Sequence, residues 1–166
     1  MKVTRVVAFD PGYERLGIAV LERSAGTRDI LMRSECFRTD KKLPFPERLR
    51  RIGEAVETII QMYKPDAAAT ENIYFEKNAK TAIKIAEVRG VLTYIAATHK
   101  LSIHEYTPLQ IKIAVTGYGK SDKHAVASLV ARLIEIPSRP SPKTNKRLDD
   151  EMDAIAIGIT CLASSR

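Results

Sequence analysis

Hydrophobic positions fall in blocks whose spacing changes along the chain. Residues 3–9 form a short β-branched run, the pattern of a buried strand. The run stops at Asp10-Pro11-Gly12, a turn signal. Residues 16–21 and 30–37 read as two more strands, with Ala25-Gly26-Thr27 as the turn between them, so three antiparallel strands are expected at the start. Over residues 46–62 the apolar positions Leu49, Ile52, Val56, Ile59 and Ile60 take helical spacing with charges between them, and Pro65 stops the helix. Residues 67–74 read as a fourth strand, weakened in propensity by its alanines. Residues 78–99 predict a long helix. Its Ala79, Ala82, Ala86 and Gly90 recur at three- and four-residue steps, a stripe that permits close packing in a central or interface position.

Residues 102–106 predict a fifth strand and residues 108–115 a short helix, followed by a turn at Gly117-Tyr118-Gly119. Ser121 is the expected N-cap of a helix running to Glu135. Residues 137–145 hold three prolines and no periodicity, the mark of a loop. From Asp150 to about residue 163 a last helix is apolar nearly all round after Met152, which predicts burial against the sheet. The expected order is β-β-β-α-β-α-β-α-α-α, with no internal repeat.

Length and composition narrow the class. At 166 residues the chain reads as one domain over residues 1–166. An apolar share of 45% and a charged share of 28% are ordinary globular usage and exclude disordered and collagen-like chains. No apolar run approaches the ~18 residues of a membrane span, and no signal-peptide pattern precedes the first strand. The expectation is a soluble, cytoplasmic protein with no membrane partner. Cys36 and Cys161 match no metal or redox spacing and read as reduced thiols. The net charge of +7 points to a polyanionic partner. Residues 138–147 carry Arg139, Lys143, Lys146 and Arg147 with no acid. Residues 38–51 carry six basic residues against Asp40 and Glu47.

The acids locate the candidate chemistry. Asp10 ends the first buried strand, where a carboxylate is expensive unless paired or bound to a metal. Taken alone it also fits a turn aspartate. Glu71 ends the fourth strand, where an exposed strand-end acid is the plain alternative. Asp149, Asp150, Glu151 and Asp153 open the last helix. Acids there complement the helix dipole, and Asp149 suits the N-cap. Asp150 and Asp153 are three apart and share a helix face. If these acids converge, two carboxylates about 4 Å apart repel by about 4 kcal/mol at an effective dielectric near 20. Such a cluster calls for a divalent cation, and carboxylate-only donors select Mg²⁺ or Mn²⁺. In a basic protein that combination suggests phosphodiester hydrolysis.

The sequence resembles the RuvC family of Holliday-junction resolvases, within the ribonuclease H-like superfamily. The pieces are Phe9-Asp10-Pro11-Gly12 with Gly17; Pro65-Asp66 through Glu71; Lys77-Asn78-Ala79 with Arg89-Gly90; Gln110-Ile111-Lys112 with Gly117-Tyr118-Gly119 and Lys123; and Asp150-Glu151-Met152-Asp153 followed by Ala154-Ile155-Ala156-Ile157. The resemblance implies an α/β fold with a mixed five-stranded sheet flanked by helices. It implies a homodimer that nicks four-way DNA junctions symmetrically with Mg²⁺, for which Mn²⁺ substitutes. It implies RuvA and RuvB, the branch-migration proteins, as partners. Carried over by position, Asp10, Glu71, Asp150 and Asp153 are the catalytic and metal-binding carboxylates. Lys112 and Lys123 serve DNA, together with Lys77 and Asn78. An aromatic near Glu71 stacks at the junction centre, here Tyr74 in preference to Phe75. The basic loop at 138–147 exceeds the family pattern. His99, His104 and His124 match nothing and read as surface residues. Competing readings are a RuvC-like nuclease acting on structured RNA, a non-catalytic nucleic-acid-binding domain, and the phosphate-loop ATPases. The last lack their second glycine motif here, and the acid set of a catalytic protein is complete.

Overall fold

The computed structural model describes residues 4–23, 28–72, 79–136 and 149–165. The expected turn at residues 25–27 and the prolines of the 137–145 loop lie outside them, as do Tyr74, Phe75, Lys77 and Asn78 and the basic residues of 138–147.

Three strands, β1 (Arg5–Asp10), β2 (Arg15–Glu22) and β3 (Asp29–Arg38), pair antiparallel in sequence. Helix α1 (Phe45–Tyr63) leads to β4 (Ala67–Glu71), which lies parallel to β1. Helix α2 (Ala79–Thr98) leads to β5 (Ser102–Tyr106), parallel to β4. Then come α3 (Pro108–Thr116), α4 (Lys123–Leu133), β6 (Ile134–Glu135) and α5 (Asp149–Ser164). The strand order across the sheet is β5-β4-β1-β2-β3-β6.

The sheet is mixed and flanked by helices, as expected, but among the described residues it has six strands where five were expected. The sixth, β6, is two residues long and pairs parallel with the start of β3. So short a strand carries no periodicity. Ile134 joins it because its side chain fills the core. The helix before β6 therefore ends at Leu133 rather than Glu135. Its N-cap is Asp122, which accepts the Ala125 amide, rather than Ser121. Ser121 instead donates to the Tyr118 carbonyl oxygen.

Strand β1 is an unbroken apolar run because both its faces are covered. Val6 and Ala8 pack toward α5 together with Ala19, Leu21, Ala67 and Ala69. Val7 and Phe9 pack toward α1 and α2 with Leu16, Ile18 and Val20. Helix α5 lies against β1 and β2 and is buried along almost its whole length from Ala154 to Leu162. Helix α3 starts with a reciprocal capping box between Thr107 and Gln110 and stops at Gly117, whose φ of 73° suits glycine. Among the described residues no helix is long and apolar enough to cross a membrane. Both cysteines are free thiols, as expected.

Candidate active site

Parallel pairing places the carboxyl ends of β1 and β4 side by side, so Asp10 and Glu71 emerge as neighbours at one edge of the sheet. Asp10 faces Gly17 across the β1–β2 pair. A Cβ at Gly17 would overlap the Asp150 carbonyl oxygen and stand 3.1 Å from the Asp10 Cβ. Glycine there lets the first turn of α5 settle onto β2, which brings Asp150, and one turn on Asp153, to the same edge.

The electrostatics register this convergence. The Asp10 carboxyl is pushed up to about 7, first by burial and then by the charges of Asp153, Glu71 and Asp150, with Lys123 opposing. Glu71 is raised by burial and by Asp153, against the pull of Lys123 and Lys112. Asp153 is raised by burial, against Lys123. Lys123 Nζ stands 3.5 Å from Asp153 Oδ2, and that charge holds the ammonium above its ordinary value. Lys112 and Lys123 line a cleft of about 310 Å³ with Glu71 and Asp153, the rest of its wall being apolar side chains such as Ile111 and Ile157. The structure thus brings together Asp10, Glu71, Asp150, Asp153, Lys112 and Lys123. Asp149 lies inside the first turn of α5 rather than at its N-cap, and its charge adds to the field at Asp153 and Lys123.

Several neighbours escaped the sequence reading. Arg15 Nε lies 3.4 Å from Asp150 Oδ2, and the Cys36 thiol, read above as a bystander, points at the same oxygen from 3.7 Å. Strand alternation was the available signal: Arg15 sits two residues before Gly17, and Cys36 is the register partner of Gly17 on β3. Glu151 is not a surface dipole acid but is buried against β3, accepting a hydrogen bond from Ser34 Oγ at 3.1 Å. Behind the Asp10 turn, buried Arg48 of α1 donates to the Tyr13 carbonyl oxygen at 2.7 Å and to Thr39 Oγ1 at 2.8 Å, with its guanidinium over the Tyr13 ring. Thr39 Oγ1 donates to that same carbonyl at 2.6 Å. His99 is half-buried and paired with Glu57 of α1 at 2.7 Å, so it is more than a surface residue.

Among the described residues no three His, Cys, Asp or Glu side chains form a ready metal cage. Asp150 is turned toward Arg15 and Cys36, and Asp153 toward Lys123. The donors nonetheless fit a hard divalent cation. All four are carboxylate oxygens, and Asp10, Glu71 and Asp153 are disfavoured as anions where they stand.

The profile of the family described as crossover junction endodeoxyribonuclease RuvC matches residues 6–161. The chain belongs to the RuvC family. It is 39% identical over 159 residues to the RuvC of Thermosipho melanesiensis, covering 96% of each chain. It is 37% identical over 154 residues to that of Desulforamulus reducens, covering 93% of this chain and 90% of the relative. Its fold is similar to that of Thermus thermophilus RuvC in complex with a Holliday junction substrate. That likeness has a TM-score of 0.89 at 26% identity and covers 98% of this chain and 95% of the other. The yeast mitochondrial Holliday junction resolvase Ydc2, at 10% identity and a TM-score of 0.73, shares the fold. The RuvC match spans all four strand-end and helix acids and both cleft lysines.

Proposed function

We propose that this RuvC chain resolves four-way DNA junctions in recombination and repair by hydrolysing one phosphodiester in each of two strands, with Asp10, Glu71, Asp150 and Asp153 as the catalytic carboxylates. The observation that carries the assignment is the meeting of these four acids at one sheet edge beside Lys112 and Lys123. The carboxylates would hold Mg²⁺, or Mn²⁺ in its place, which when bound activates water and steadies the leaving oxygen. Lys112 and Lys123 hold the phosphates of the cleaved strand over the acids, and Lys123 also holds Asp153. Tyr74 at the junction centre, with Phe75, Lys77 and Asn78 beside it, is carried by the family resemblance. The test is a synthetic four-way junction incubated with the protein and Mg²⁺ and resolved on a denaturing gel, beside a structured RNA. Paired symmetric nicks in the DNA are expected, and cutting of the RNA alone would overturn the reading.

Phosphate contact by the two lysines has its own signature. Affinity for duplex arms falls with salt at a log–log slope of about −0.9 per phosphate neutralised. Lys112→Ala and Lys123→Ala are each expected to flatten that slope by about one, measured by fluorescence anisotropy without divalent metal. An unchanged slope would return them to solvated surface lysines.

Two symmetric nicks require two sites, which a two-fold dimer supplies through one self-complementary patch. The support is the outer face of α2. Ile83, Ala86, Gly90, Tyr94 and Ala97 are all exposed along it, Tyr94 at 73%, and a Cβ at Gly90 would meet nothing within 4 Å. Light scattering is expected to give the mass of a dimer, and Gly90→Glu that of a monomer with its melting temperature little changed. A parent protein that is monomeric at micromolar concentration and still makes paired nicks would refute the dimer. RuvA and RuvB are the proposed partners, by family resemblance. The proposed compartment is the cytoplasm, consistent with two free thiols.

A further inference from the structure

The basic residues between 38 and 51 divide sharply once their partners are known. Arg50 and Arg51 are paired with Glu47 and Glu54 along α1, Arg48 is buried, and Lys41 is bonded to Glu14 at 2.8 Å. Like Lys42, Arg38 is exposed and has no carboxylate partner among the described residues. It ends β3, and its register partner is Arg15 at the start of β2. Like charges directly opposite on one sheet face repel. Both side chains lie on the α5 face. Arg15 reaches Asp150, and so does the thiol of Cys36, two residues before Arg38 on β3. Two guanidinium groups therefore stand opposite each other, the first of them paired with Asp150, a carboxylate assigned above to the reaction.

Strand order says where this pair stands. Lys112 and Lys123 flank the Glu71 side of the acids. Going the other way from β1, Asp10 faces Gly17 and then Cys36, and Arg15 and Arg38 lie two residues further along β2 and β3, about 8 and about 12 Å from Asp10 at ordinary strand spacing and rise. A strand laid over the carboxylates thus meets lysines on one flank and two arginines on the other. A guanidinium fork binds a phosphate through two parallel hydrogen bonds, which a lysine cannot do.

We propose that Arg15 and Arg38 form a second phosphate-binding site for the cleaved strand, on the flank of the carboxylates opposite Lys112 and Lys123. The inference rests on the nuclease reading above. Without DNA, Arg15 holds Asp150. With DNA, a backbone phosphate becomes the shared anion of both arginines, and Asp150 is released toward Asp10.

The test uses the full chain, a four-way junction and EDTA, so that binding is read without cutting. Arg15→Gln and Arg38→Gln are each expected to reduce the salt slope by about 0.9, while Arg50→Gln leaves it unchanged. Lysine at either position restores the slope. Single methylphosphonates, placed at each phosphate around the cut, locate the contact. At one position the parent protein loses affinity and the double glutamine variant loses no more. Unchanged slopes, or equal methylphosphonate penalties in parent and double variant at every position, would overturn the proposal. Should Arg15→Gln fail to fold, Arg38→Gln and Arg38→Lys carry the same comparison. Failure of the nuclease reading shows separately, as no nicking of the unmodified junction by the parent protein with Mg²⁺.

Discussion

Asp10→Asn is expected to lower junction cleavage by at least ~10²-fold while junction binding survives, because an amide cannot stand in for an ionised ligand at a metal-assisted site. The basic surfaces are untouched, and one negative charge has left the site. Stability separates this from a folding defect. The Asp10 carboxyl sits near 7 in the folded protein, against an ordinary value of 3.8. Between pH 4 and pH 7 the folded state therefore binds more protons than the unfolded one, and metal-free stability falls as pH rises through that window. A shift of this size corresponds to a few kcal/mol, on the order of 1.4 per pH unit. Asparagine has no such titration. In EDTA the variant is expected to melt above the parent, by a gap that opens from pH 4 to pH 7 and then stays constant. Mg²⁺ should narrow the gap by stabilising only the parent. Single-turnover cleavage and thermal melting across pH check both halves, and normal cutting by Asp10→Asn would sink the carboxylate assignment. Asp149→Asn, which removes only a neighbouring charge, is expected to be nearly silent.

Gly17→Ala is expected to cost almost as much activity with all four acids still present. The new methyl group meets backbone, the Asp150 carbonyl oxygen, and backbone cannot rotate away as a side chain end can. Overpacking of this kind destabilises by about 1–3 kcal/mol. Relief requires the first turn of α5 to move off β2, carrying Asp150 and Asp153 with it. A misplacement near 1 Å in a positioned site lowers rates by ~10²-fold. Melting curves should still show one cooperative transition, and binding should hold while cleavage falls. Gly158→Ala is the comparison: its methyl would meet the Leu21 side chain rather than backbone, and cleavage should fall far less.

Much of this architecture was legible in the residues, and the limits have physical causes. The α1 core was readable because its apolar spacing and the stop at Pro65 coincide with the observed helix, and α2 and the strand at 102–106 also lie where they were expected. Asp10 and Glu71 stood out because a carboxylate closing an apolar run is costly in any fold. What periodicity could not carry was registration between distant segments. That Arg15 faces Arg38, that Cys36 faces Gly17, and that Arg15 and Cys36 both look at Asp150 follow from strand pairing and from where α5 lands. The start of α5 and the end of α4 were each misjudged by a residue or two, since Asp149 and Ile134 suit either side of a boundary. Ile134 went to the sheet for its burial and Asp149 into the helix.

Arg48, Thr39 and the Tyr13 carbonyl tie the turn after Asp10 to the body of α1 through a buried cation. This makes the turn part of a cooperative unit rather than a hinge. Its backbone order parameters should match those of β1, not those of a surface loop. The conformational entropy of holding Asp10 is then lost at folding, once, and not at each encounter with substrate. Whatever reorganisation the site undergoes as DNA arrives falls on the side chains of Arg15, Lys123 and Asp150, while the carboxylate at the end of β1 stays where the fold has put it.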